Sequence, residues 1–342
     1  MPTSQPTKEI DAVPTLAWGR SGETTFCGAL AAVAKARNIK ADYVTLMGDT
    51  SLAFRTRWWR KEAGPGWCPS SPVGEMTPWT HRAEPTMGRK ITFNVDFKPN
   101  ADFGQYAGRV KQQIDDGWPV LAYGDTFDMG VIYGYADDGK TVFFRDYFKG
   151  EKPQVLELAK TKGLIAFFDQ PADVATPVER ATIAIRNAVA DWKHPADPTN
   201  NPKSGGAYHF GDAAYAKWID DLTTDKLTDA DRKDMFQPSW WTFCVLADAR
   251  QQASKYLQRI ALLFDGEAKA SLRRAADLYT ESARLSGQAY QNKDAFLGPW
   301  SGKKIEDWTP EVRRREAQML DEIRDSDNAA IAELEKAIAT LK

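Results

Sequence analysis

Cys27 is the side chain best placed to do chemistry. It closes the run Ser21-Gly22-Glu23-Thr24-Thr25-Phe26-Cys27, and an alanine-rich stretch follows to about Asn38. Leu30, Val33 and Ala34 recur there at helical spacing, so the pattern predicts a helix. Thr24 or Thr25 suits its N-cap, which puts Cys27 in the first turn. Open N–H groups and the helix dipole stabilise a thiolate at that place, and the thiolate is the attacking form of cysteine. The bland alternative is a buried cysteine acting as a small hydrophobe. A thiol nucleophile also needs a partner that takes its proton and returns it to the leaving group. The chain has 3 histidines, His81, His194 and His209. His209 is the best placed, beginning a predicted helix in Ala207-Tyr208-His209-Phe210-Gly211 from which it could reach a site in the first half.

The elements that would hold Cys27 follow from hydrophobic period. Residues 1–14 read as a flexible lead. Residues 55–90 form a long tryptophan-rich stretch (Trp58, Trp59, Trp67, Trp79) that reads as an ordered surface or pocket-covering segment. Ile91, Phe93, Val95 and Phe97 alternate with polar residues as in a half-buried strand. A helix is predicted over 103–116 and ends at Gly117. Strands are predicted over 118–123, 129–135, 141–147 and 164–168, with the Asp138-Gly139 turn between the second and third. A helix followed by a mainly antiparallel sheet is an α+β order. Residues 169–178 read as a linker, and helices are predicted over 177–192, 206–222, 239–264, 267–292 and 309–341. The domain reading is thus a lead at 1–14, a thiol domain at 15–168, a linker at 169–178 and an all-helical domain at 179–342.

Four short motifs carry a family likeness. Gly22 to Leu30, with its Cys27-Gly28 pair, resembles the active-site helix start of the C39-like, papain-fold cysteine peptidases. Val131-Ile132-Tyr133-Gly134-Tyr135-Ala136-Asp137-Asp138-Gly139 resembles the strand and turn that follow the catalytic histidine there. Arg145-Asp146-Tyr147 stands like the strand end that carries the family's orienting Asp or Asn, and Gly117-Trp118-Pro119-Val120-Leu121 resembles the strand upstream. Tyr43 to Phe54 adds a likeness to the N-terminal domain of the butirosin biosynthesis protein H type, a branch linked with acyl transfer through a thiol. The resemblance covers about residues 18–168. It implies a papain-like fold, Cys27 as nucleophile for amide hydrolysis or acyl transfer, and a small-molecule or peptide substrate.

Two slots depart from the family. Ser21 stands where the peptidases carry the oxyanion-donating Gln, and Asp128 stands where they carry His. A carboxylate at Asp128 repels a thiolate and would raise the Cys27 pKa. Asp128 and Asp146 could instead work as a carboxylate pair with separated pKa values. Ser21, Glu23 and Tyr123 are the remaining candidates, for the oxyanion or for substrate binding. Loss of the two slots also fits a catalytically degenerate ligand-binding protein on the same fold.

Composition narrows the partners. With 45 basic and 47 acidic residues and no sustained basic stretch, a nucleic-acid footprint has no electrostatic support. No segment approaches the roughly 18–20 apolar residues that span a bilayer, and residues 1–13 lack the apolar middle of a signal peptide. Cys27, Cys68 and Cys244 fit neither a disulfide framework nor a zinc site, so a cytoplasmic setting without a metal or other cofactor is expected. The last helix is open to bundle packing or to contact with a second copy.

Overall fold

The computed structural model describes residues 7–58, 80–98, 100–124, 126, 128–149, 154–195, 208–292 and 294–341. Trp59, Trp67, Trp79 and Cys68, which the sequence singles out, lie outside the described residues. In chain order the elements begin β1 (Lys8–Glu9), α1 (Thr25–Ala36), α2 (Tyr43–Asp49), β2 (Arg57–Trp58), α3 (Glu84–Met87), β3 (Arg89–Asp96) and α4 (Ala107–Asp115). There follow β4 (Val120–Tyr123), β5 (Met129–Ala136), β6 (Thr141–Arg145), β7 (Gln154–Glu157) and β8 (Gly163–Pro171). The remainder is α5 (Pro177–Trp192), β9 (His209–Phe210), α6 (Gly211–Thr223), α7 (Asp229–Ile260), α8 (Gly266–Gln291) and α9 (Pro310–Thr340). The chain is α+β. Its described residues pack as two compact units: one up to Leu46 and from Thr80 to Ala175, the other from Met47 to Trp58 and from Thr176 onward.

The first unit is built on a seven-stranded antiparallel sheet, ordered β3-β8-β4-β5-β6-β7 with β1 added to β5. One face of it packs with α4 around Val110, Ile114, Val120, Ala122, Ile132, Val142, Phe144, Ile165 and Phe167. The intervening Leu121, Tyr123, Val131, Leu164 and Ala166 are buried too. A strand buried along its whole length, as β5 is, needs cover on both faces. The second cover is α1, which packs on β5 and contributes no side chain to the α4 cluster. The lead read as flexible is tied down in part, since Lys8 pairs with Tyr135 and Glu9 with Gly134. The predicted 103–116 helix divides into a 3-10 turn at Phe103–Tyr106, capped by the Asp102 carboxylate, and then α4.

The second unit is helical apart from the small β2–β9 pairing. Its longest helix begins ten residues before the predicted 239, because Pro238 sits inside α7 rather than at its start. Thr228 and Asp231 form the capping box that opens it. A buried ion pair lies at the centre of this unit. Arg250 and Asp327 are both fully buried. Arg250 Nε donates to Asp327 Oδ2 at 2.7 Å, and its other nitrogens donate to Ala53 O and Arg55 O, each at 3.1 Å, and to Thr56 Oγ1. Tyr215 and Ser282 hydroxyls donate to the same carboxylate at 2.8 and 2.7 Å. Such a pair stabilises only while complete, because removing one partner strands the other charge in a dry interior.

Glu316 on α9 is a second buried carboxyl. It accepts from Leu297 N and from Trp308 Nε1, each at 2.7 Å. Burial pushes its pKa up to about 8, against the pull of those two donors. No helix among the described residues is long and apolar enough to cross a membrane.

Two outcomes follow for stability. Arg250→Ala should lower the unfolding free energy by roughly 3–5 kcal/mol in chemical denaturation, and Arg250→Lys should recover only part, since one ammonium cannot serve Ala53, Arg55, Thr56 and Asp327 together. Glu316 holds its proton more tightly folded than unfolded. Its contribution is therefore complete at low pH and is lost as pH rises from about 4.5 to about 8. Melting curves across that window should fall more steeply for the wild type than for Glu316→Gln.

Candidate functional site

α1 carries Cys27 in its first turn, as its third residue. Thr24 occupies the N-cap position in extended backbone without a side-chain cap bond. Cys27 is a reduced thiol with no exposed surface. The turn is fixed from two sides. Tyr43 supplies its hydroxyl to Thr24 N at 3.0 Å. Thr25 Oγ1 accepts from Met129 N at 3.1 Å, which pins the start of α1 to the start of β5.

That pin determines what stands next to it. Asp128 immediately precedes β5 and is hydrogen-bonded to the Thr25 side chain. Its carboxyl is pushed up to about 6 by burial and by the charge of Asp146, with the Thr25 hydrogen bond opposing. Asp128 is nonetheless only half-buried, so solvent reaches it where it does not reach Cys27. Val131 pairs with Arg145 across β5 and β6. Continuing that register puts Asp146 opposite Gly130. Glycine is required there: a Cβ on Gly130 would lie 2.3 Å from the Phe144 ring and 2.5 Å from Arg145 O. Asp146 is buried and accepts from Phe148 N and Lys149 N, each at 2.9 Å, and from the Gln154 amide. Tyr123 ends β4 opposite Met129. Burial, with Asp128 beside it, pushes its phenol above the ordinary range.

Ser21 and Glu23 lie half-buried on the approach to α1. Ser21 Oγ accepts from Ala17 N at 3.1 Å, and Ser21 O accepts from the Tyr147 hydroxyl at 3.1 Å. The same hydroxyl lies against Gly28, where a Cβ would be 1.7 Å from it. Residues on both sides of Cys27 are therefore tied to the β5–β6 end of the sheet, Thr25 through Met129 and Gly28 through Tyr147.

The histidines take separate places. His81 Nδ1 meets Glu84 Oε1 at 2.7 Å, and its ring stands edge-on to Phe93, which in turn faces Phe26. Glu84 also accepts from Ile91 N and Lys90. Burial opposes its charge, but those two donors and His81 hold it below the usual range. His194 packs against Phe210 with ring centroids 4.7 Å apart. His209 pairs with Trp58 in the second unit, and burial followed by the Lys217 charge lowers its imidazole pKa while Asp221 acts the other way.

The sequence reading used Thr25 only as a cap and gave Tyr147 and Gln154 no individual role. Asp146-Tyr147-Phe148-Lys149 does carry a signal for the turn, an Asp whose side chain can accept from N–H groups two and three residues on. Among the described residues no group of three or more His, Cys, Asp or Glu could hold a metal ion.

Gly28→Ala should lower stability by roughly 1–3 kcal/mol through forced displacement of Tyr147. Tyr147→Phe in the same chain should restore part of that in thermal melts, because it removes the atom the new methyl strikes.

No protein-family model matches this chain, and no curated protein does.

Proposed function

We propose that the first unit is a papain-like thiol domain in which Cys27 acts with a carboxyl where the resembling peptidases use an imidazole. The observation that carries this reading is Asp128, held on the Thr25 hydroxyl two residues before Cys27 and lifted to about 6. A carboxyl with that pKa is mostly ionised at neutral pH, yet far more basic than an ordinary aspartate. It takes the Cys27 proton as sulfur bonds to the carbonyl carbon of an amide or ester. The oxyanion so formed collapses, the C–N or C–O bond breaks, and Asp128 returns the proton to the departing amine or alcohol. An acyl-thioester on Cys27 remains. Water completes hydrolysis, and an incoming amine or hydroxyl completes acyl transfer.

The N-terminal end of α1, through the helix dipole, favours negative charge on the sulfur and on the oxyanion. Ser21 fills the slot six residues before Cys27, and its hydroxyl, already accepting from Ala17 N, keeps a proton to donate. A thiol nucleophile works only where it stays reduced, so a cytoplasmic setting accompanies the proposal. The substrate class is a small molecule or a peptide.

One observation favours a second reading. Cys27 has no exposed surface, as a retired nucleophile in a ligand-binding descendant of this fold would have.

Alkylation by iodoacetamide separates the two. In the thiol reading, the rate at Cys27 rises from pH 5 to pH 7 with an inflection near the Asp128 value of about 6. Asp128→Asn removes the inflection and slows labelling by about a hundredfold. An Asp128→Asn chain that labels faster means that Asp128 only repels the thiolate, which ends the general-base role. A Cys27 that labels only after unfolding selects the binding protein.

A further inference from the structure

Two large aromatic side chains are left in solvent beside the first turn of α1. Trp18 is 40% exposed and Phe148 is 52% exposed. Their ring centroids are 5.8 Å apart and nearly perpendicular, at 76°. This is an attractive edge-to-face arrangement, so the rings form one surface rather than two loose side chains. Trp18 also rests on Tyr147, with centroids 4.7 Å apart.

Tyr147 joins this surface to the thiol helix. Its ring supports Trp18, its hydroxyl donates to Ser21 O at 3.1 Å, and the same oxygen lies against Gly28, the neighbour of Cys27. Phe148 is held from below by its backbone, whose N–H donates to the Asp146 carboxylate at 2.9 Å. One aromatic surface thus runs from solvent to the residue beside the nucleophile, on a turn fixed by a candidate site residue. Scattered exposed apolar side chains need no explanation, but contiguous ones mark binding surfaces.

We propose that Trp18 and Phe148 seat a flat aryl group of the substrate and so set the side-chain preference of the site, an inference that rests on the thiol reading of Cys27. The rings supply the stacking and edge contacts that an aryl side chain prefers, and Tyr147 continues them toward the helix where the reacting carbonyl would lie. The seat fixes the aryl class of the substrate and does not distinguish hydrolysis from acyl transfer.

The test uses the whole chain and two readouts. In the first, N-benzylacetamide binds the Cys27→Ser protein in ligand-observed saturation-transfer NMR. Trp18→Ala and Phe148→Ala should each weaken that binding by about fivefold, and Trp18→Phe should retain most of it. In the second, wild-type Cys27 is labelled by N-benzyl iodoacetamide and by iodoacetamide. The ratio of rates should favour the benzyl reagent and should drop by about fivefold in Trp18→Ala. Thermal melts confirm that the variants are folded, and Phe148→Ala serves if Trp18→Ala is not. Benzylacetamide binding that is absent, or indifferent to both aromatic variants, overturns the seat whatever Cys27 does. Binding that depends on Trp18 in a protein whose Cys27 never labels in the native state upholds the seat and removes the thiol reading. Sedimentation showing a dimer that dissociates in Trp18→Ala, with no ring binding, assigns the surface to a second copy and overturns the proposal.

Discussion

The hydrogen bond from Met129 N to Thr25 Oγ1 is the constraint on which the candidate site depends. It fastens the first turn of α1 to the first residue of β5. Everything of chemical interest lies within a few residues of that bond: Cys27 two positions along the helix, Asp128 one position before the strand, and Tyr123 across the sheet on β4. A hydroxyl is well suited to the task. It accepts from the backbone and still has a proton to offer a carboxyl, so one threonine satisfies the strand and positions Asp128. Asp146, the residue after β6, completes the electrostatics. It is itself satisfied by two N–H groups and the Gln154 amide, and its negative charge is what helps keep a proton on Asp128.

This arrangement changes what an aspartate at position 128 can do. An ordinary carboxylate beside a thiol would oppose thiolate formation and be too weak a base to compensate. Burial and a second carboxylate move Asp128 toward the range where general bases work at neutral pH. Under this reading the aromatic surface at Trp18 and Phe148 supplies selectivity, while the carboxyl pair supplies proton transfer. The two depend on one turn, because Asp146 both raises the Asp128 pKa and shapes the backbone that presents Phe148.

Much of the fold was legible because its signals are local. The alternation of Ile91, Phe93 and Val95 with polar residues became β3, and the Thr24–Cys27 start became α1 at Thr25. The Asp-Gly turn after β5 appears as a tight 3-10 turn in which Asp137 and Asp138 both take left-handed backbone. What was missed depends on distant partners. Lys8–Glu9 and Gln154–Glu157 are too short to show a period, and each is a strand only because β5 or β6 lies beside it. Proline misled the start of α7, since the bundle tolerates Pro238 within the helix. The domain reading assigned 47–58 to the first half, whereas these residues pack with the helical unit, where Arg250 holds Ala53, Arg55 and Thr56. At the site, residue type and helix position pointed to Cys27, and the family resemblance pointed to Asp128 and Asp146. The roles of Thr25 and Tyr147 were not legible because each rests on a bond to a residue more than a hundred positions away in the chain.

The most direct measurement of the central claim is a carbon-13 NMR titration of the Asp128 side-chain carboxyl. The account predicts a midpoint near 6, moving down toward an ordinary aspartate when Asp146 is replaced by Asn. A midpoint already at the ordinary aspartate value, and indifferent to Asp146→Asn, would contradict it.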